Sequence, residues 1–202
     1  MNRTLILAVM LSAPELLSAG DTVLGYEFVG QVLNTSPTQS LQYGYLNKVS
    51  GLNVVDNQAG PAVSENTALL RFYNDTTTQQ VINNGPIRVI DRTGTSTIYL
   101  NASAGADFTN PDSFRAGKPV QTCSLRHQVV IDTSTGYFTA TFEMTVQSAT
   151  LFQVRDFYYR LGAPGQVYRW SVYGKLTSQG PPSAHIAGFA SGIKADLIDT
   201  AE

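Results

Sequence analysis

The 202-residue chain carries 13 Lys and Arg against 15 Asp and Glu, a formal net charge of −2, and so offers no basic surface for nucleic acid. Hydrophobic residues make up 43% and charged residues 14%, which suits a packed core and excludes a disordered chain. One cysteine, Cys123, and two histidines rule out an intramolecular disulfide, a CxxC redox pair and a zinc site built only from His and Cys of one chain.

At the N-terminus, Met1-Asn2-Arg3-Thr4 carries one positive charge and Leu5 to Leu11 then runs apolar, before Ser12-Ala13-Pro14-Glu15 breaks the run. That layout predicts a signal peptide over residues 1–19 with cleavage after Ala19, where Leu17-Ser18-Ala19 places a small residue at the cut. A single domain, 20–202, is expected to follow, in a secreted or periplasmic/cell-envelope protein; the alternative is an amphipathic helix retained in the fold. The apolar run falls far short of the roughly 20 residues that a bilayer-spanning helix needs. A lone cysteine agrees with export that does not rely on disulfides.

Beyond the leader nearly every segment alternates with period two, between turns rich in Gly, Pro, Asn, Asp and Thr. Strands are predicted at about 22–34, 41–50, 66–74, 80–91, 95–101, 121–132, 137–147, 151–161, 166–177 and 184–194. In the clearest pair, Phe138, Ala140, Phe142, Met144 and Val146 alternate with polar residues, as do Cys123, Leu125, His127, Val129 and Ile131. Thr133-Ser134-Thr135-Gly136 joins them as a hairpin turn. Burying both apolar sets on one face sets Ile131 opposite Phe138, and Arg126 then falls opposite Glu143 as a salt-bridging pair on the wet face. Asp91-Arg92-Thr93-Gly94 and Gly162-Ala163-Pro164-Gly165 read as tight turns between up-and-down neighbours.

The expected fold is therefore all-β, an antiparallel up-and-down β-barrel of about 8–10 strands, with a β-sandwich as the alternative. By analogy of architecture it is lipocalin-like or allene-oxide-cyclase-like. Glycines inside strand patterns, at 30, 44, 174, 188 and 192, favour the barrel, since a strand bends most cheaply where it has no side chain. Two long irregular stretches remain, 52–65 and 101–119. The second carries Phe108, Phe114, Arg115 and Lys118 and is expected near a barrel mouth.

No nucleophile elbow, HExxH, P-loop or dinucleotide fingerprint is present. Catalytic residues are thus not assigned, and no metal or cofactor is expected. His127 stands out because it falls on the apolar face opposite Phe142, where an imidazole needs a partner, whether a core Tyr, a backbone carbonyl or a ligand in a cavity. Cys123, four residues away on the same face, is too distant along the strand to be activated by it. The candidate ligand-binding set is His127, Phe142, Tyr26, Tyr43, Trp170 and Arg71. Aromatic rings would supply the apolar wall, and an arginine lying against them would anchor a carboxylate.

Three readings of function follow: a secreted barrel binding a small apolar molecule, a cyclase- or isomerase-type enzyme using the same cavity, and a structural envelope or surface protein that self-associates through an uncovered edge strand. The first requires a cavity of several hundred cubic ångströms inside the sheet, which a structural protein does not. An outer-membrane barrel is opposed by the Thr/Glu face of residues 139–147, which is unsuited to lipid.

Overall fold

Alternation of buried and exposed residues runs the length of most strands and dictates a sheet with one wet face and one dry face. In the computed structural model, which describes residues 24–56, 62–101 and 105–198, that sheet closes on itself. The predicted leader, 1–19, lies outside the described residues.

The strands are β1 (Leu24–Asn34), β2 (Gln39–Val49), β3 (Leu70–Asn84), β4 (Ile87–Leu100), β5 (Lys118–Asp132), β6 (Tyr137–Ala149), β7 (Phe152–Val154), β8 (Phe157–Leu161), β9 (Val167–Leu176), β10 (Ala184–Ser191) and β11 (Ala195–Ile198). Eight of them form a closed antiparallel barrel in the order β1-β10-β9-β6-β5-β4-β3-β2. This is an up-and-down meander interrupted once, between β6 and β9, where β7 and β8 leave the barrel to form, with β11 from beyond β10, a separate three-stranded sheet, β11-β8-β7. Closure leaves the barrel strands without free edges over their shared length.

The β5–β6 hairpin has the expected register, with Ile131 opposite Phe138, His127 opposite Phe142 and Arg126 opposite Glu143. Arg126 and Glu143 are both exposed on the outer face. They form no ion pair, however: the ion pairs of the described residues are Lys48–Glu27, Arg115–Asp112 and Lys194–Asp196.

Three expectations are corrected. The segment 91–94 is not a turn, because β4 runs straight through it from Ile87 to Leu100. A Cβ on Gly94 would lie 2.0 Å from the Asp75 carbonyl oxygen, so this glycine permits close approach of β3 and not a reversal of the chain. The reversal occurs at Gly85-Pro86, where Gly85 has a φ of +58° and open space around it. The segment 151–161 is not one barrel strand but the β7–β8 hairpin, with Arg155 at a φ of 54° between the two strands. The stretch 101–119 includes a 3-10 helix, Pro111–Arg115, and packs against the outside of the barrel: Phe114 and Phe108 stack on Tyr43 of β2.

The main core fills the barrel and continues into the small sheet through Phe152, Val154, Tyr159, Leu161 and Ala195. Glycines make room for rings inside it. On Gly44 a Cβ would meet the Val29 carbonyl oxygen at 2.1 Å and the Phe72 ring at 2.8 Å. No helix among the described residues is long and apolar enough to cross a membrane.

Candidate functional site

The barrel interior has two unlike halves. Toward the small sheet it is packed with rings around Trp170, whose centroid lies 4.4 Å from that of Phe28, 5.1 Å from Phe72 and 5.9 Å from Tyr26. The polar atoms of this half are chained together. Trp170 Nε1 donates to the Tyr26 hydroxyl, which donates to the Tyr168 hydroxyl at 3.1 Å, which donates to Gln121 Oε1 at 2.7 Å. Gln121 Nε2 then donates to the Leu161 carbonyl at 2.8 Å. Burial raises the pKa of both tyrosines well above its ordinary value. It also pushes the Cys123 thiol up to about 11, so that the sulfur is an inert core atom beside Tyr168.

In the other half, toward the β1–β2 and β5–β6 turns, the rings give way to a cavity of about 60 Å³. One wall is apolar, formed by Val129, Ile131, Phe138, Ala140, Val172 and Ile186. The other is polar, with Gln42 of β2, Arg92 of β4 and His127 of β5. The volume is well below the several hundred cubic ångströms expected from the sequence. Side chains from eight converging strands fill an eight-stranded barrel almost completely.

His127 is 2% exposed, and its ring meets Phe142 edge-on at 4.3 Å. Neither Nδ1 nor Nε2 has a hydrogen-bond partner, so the core Tyr or carbonyl that the sequence allowed for is not what satisfies it. Desolvation, reinforced by the Arg92 charge, lowers its pKa to about 3. At neutral pH the imidazole is uncharged, with one N–H donor and one acceptor nitrogen. Arg92 stands directly opposite in the β4–β5 ladder. Its Nε donates to the Thr78 hydroxyl at 3.2 Å, and no carboxylate pairs with it. Burial lowers its pKa from the ordinary value. Gln42 Nε2 is held by Ser40 and Thr76 at 2.9 and 3.1 Å, while its Oε1 is buried without a partner.

Of the residues chosen from the sequence, His127 and Phe142 line the cavity. Trp170 and Tyr26 belong to the packed half, Trp170 lying behind Phe142 at 5.6 Å. Tyr43 and Arg71 are on the outer face. Tyr43 donates to Gln31 Oε1 and the Phe108 carbonyl, each at 3.3 Å, and Arg71 is buried between Tyr45 and Tyr99 in the strand register. Sequence reasoning missed Gln42 and Arg92. Assigning 91–94 to a turn removed Arg92 from the strand alternation that would have turned it inward.

A wider groove, about 230 Å³, runs outside the barrel between Tyr43, Phe108, Pro111 and Pro181–Pro182. None of its polar side chains is buried without a partner, so the groove lacks the unmet hydrogen-bonding demand that marks the interior cavity. Family models, curated proteins and solved structures were all compared with the chain and none matches, so its functional reading rests on the chemistry of this cavity.

Proposed function

We propose that this protein is an exported barrel that binds a small, largely apolar molecule in the cavity beside His127. One observation carries the reading: a buried imidazole with two unpartnered nitrogens lines the cavity. Leaving such a group unsatisfied costs on the order of 1–3 kcal/mol, a cost that a core built only for stability avoids by using an apolar residue. The leader-like residues 1–19 support export to the envelope or the medium. The cavity restricts the ligand. At roughly 10–15 Å³ per water-sized group, about 60 Å³ encloses four to six heavy atoms.

A cyclase or isomerase reading draws less support, because a histidine with a pKa of about 3 is a weak general base at neutral pH. The test is titration with 1-pentanol, following the two histidine side chains by NMR. Binding moves the His127 signal and leaves His185 unmoved. Replacing His127 with Phe removes the polar anchor and weakens binding while the fold keeps or gains stability. Absence of saturable binding to the wild type overturns the reading.

A structural role has one observation in its favour. Beyond the bond from Thr78 N–H to the Thr38 carbonyl, β3 from Gln79 to Asn84 is paired only with β4 and exposes Val81 and Ile82. Such an edge can pair with a second copy. Sedimentation of the wild type beside Val81→Lys decides it: a dimer lost in the variant supports the structural reading, and a monomer in both removes it.

A further inference from the structure

We infer that the ligand is a short-chain carboxylate whose acid group is anchored by Arg92 and His127 on the polar wall of the cavity. This inference rests on the ligand-binding reading above and adds the chemical class of the ligand.

The charge arrangement points to an anion. Arg92 lines the cavity, half-buried, with one hydrogen bond, to Thr78, and no ion-pairing carboxylate. A guanidinium in this position has four N–H donors beyond Nε, in a planar fork that matches the two oxygens of a carboxylate. The acidic residue next to it in sequence, Asp91, does not neutralise it. Asp91 belongs to the opposite face of the strand, where its carboxylate accepts from Gln128 Nε2 at 3.3 Å. Among the described residues, the barrel therefore holds a cation against an interior cavity with no counter-charge there.

His127 adds to this as an uncharged donor. Directly across the ladder from Arg92, it can give one N–H to an acid oxygen while its other nitrogen accepts. A second positive charge is not needed and would be costly to bury. Gln42 Oε1 is an acceptor without a partner and has no attraction for a carboxylate, which leaves the acid group to the Arg92–His127 side and gives a hydroxyl or amide N–H of the ligand a place on the Gln42 side.

The opposite wall sets the rest of the molecule. Ile131, Phe138, Val172 and Ile186 offer contact and no hydrogen bond, so an inorganic anion would satisfy Arg92 but leave this wall unused. With space for about four to six heavy atoms, the body is a short aliphatic chain and not a fatty acid.

The test compares propanoate with propanamide, which has nearly the same shape but no charge, and with inorganic phosphate. All three are titrated into the full chain at neutral pH, with the His127 NMR signal and calorimetry as readouts. Propanoate is expected to bind at least about 10-fold more tightly than propanamide, the usual margin of a charge-assisted hydrogen bond. Arg92→Gln should bring the two affinities together, and Arg92→Lys should retain part of the difference. Equal binding of propanoate and propanamide to the wild type overturns the carboxylate inference and leaves the cavity reading standing. Phosphate binding as tightly as propanoate also overturns it, in favour of a simple anion site. If neither organic probe binds, the ligand-binding reading itself fails. The wild-type comparison needs no variant, so it decides the matter even if Arg92→Gln does not fold.

Discussion

Arg92 and His127 occupy directly opposed positions of the β4–β5 ladder and both line the barrel cavity. A permanent cation and a titratable ring thus share one largely desolvated wall, and the ring yields: its pKa falls to about 3, first through burial and then through the guanidinium. Protonation of His127 and folding are therefore opposed.

Stability should fall with acid in a window set by His127. Its pKa is 6.5 in the unfolded chain and about 3 in the fold, so between those values the unfolded state binds a proton that the native state does not. The contribution is complete above about pH 6.5 and is lost progressively as pH drops toward 3; at pH 4 the loss is roughly 3 kcal/mol. Asp107 and Asp132, whose pKa values are lowered by hydrogen bonds from Thr109 and from Ser134 and Thr135, lose their contributions below 3.8 and so add little to the difference between pH 7 and pH 4. Denaturant melts at pH 7 and pH 4 measure the slope. His127→Phe should flatten it, and an unchanged slope would show that His127 is not buried neutral.

Phe142→Ala should destabilise the fold by about 3–5 kcal/mol, and Thr141→Ala by well under 1. Phe142 is 2% exposed and wedged between His127 and Trp170, whereas Thr141 is exposed on the outer face. Comparable losses at these adjacent positions would contradict the inward and outward alternation of β6.

Gly94 and Gly85 should respond to alanine in opposite proportion to their appearance in the sequence. Gly94→Ala drives a Cβ into the Asp75 carbonyl between two paired strands and should cost about 2 kcal/mol or more. Gly85→Ala meets only the penalty of a positive φ with nothing nearby, about 1 kcal/mol. Urea midpoints of the two variants locate the hairpin turn.

Cys123 should resist thiol reagents at pH 8 until the protein unfolds. Its thiol is 2% exposed, with a pKa pushed up to about 11 by burial, so both access and thiolate are lacking. Labelling that matches a free thiol in rate would place Cys123 outside the core.

Period-two patterning is a local property, and it was sufficient for the all-β class, the antiparallel meander, the register of β5 with β6 and the inward face carrying His127 and Phe142. A slip of one residue would expose one of the two apolar faces, and the short turn at 133–136 excludes a slip of two, so the register is fixed. Which glycine turns the chain was not local. Gly94 and Gly85 look alike in sequence, and only the approach of Asp75 across the β3–β4 ladder distinguishes a close contact from a reversal. That single decision put Arg92 inside the barrel. Strand alternation turns Tyr43 outward, and its burial there follows from Phe108 and Phe114 of a distant loop folding over β2. The size of the cavity is a difference between the space enclosed by eight strands and the side chains that fill it, a sum over distant residues that no stretch of sequence contains.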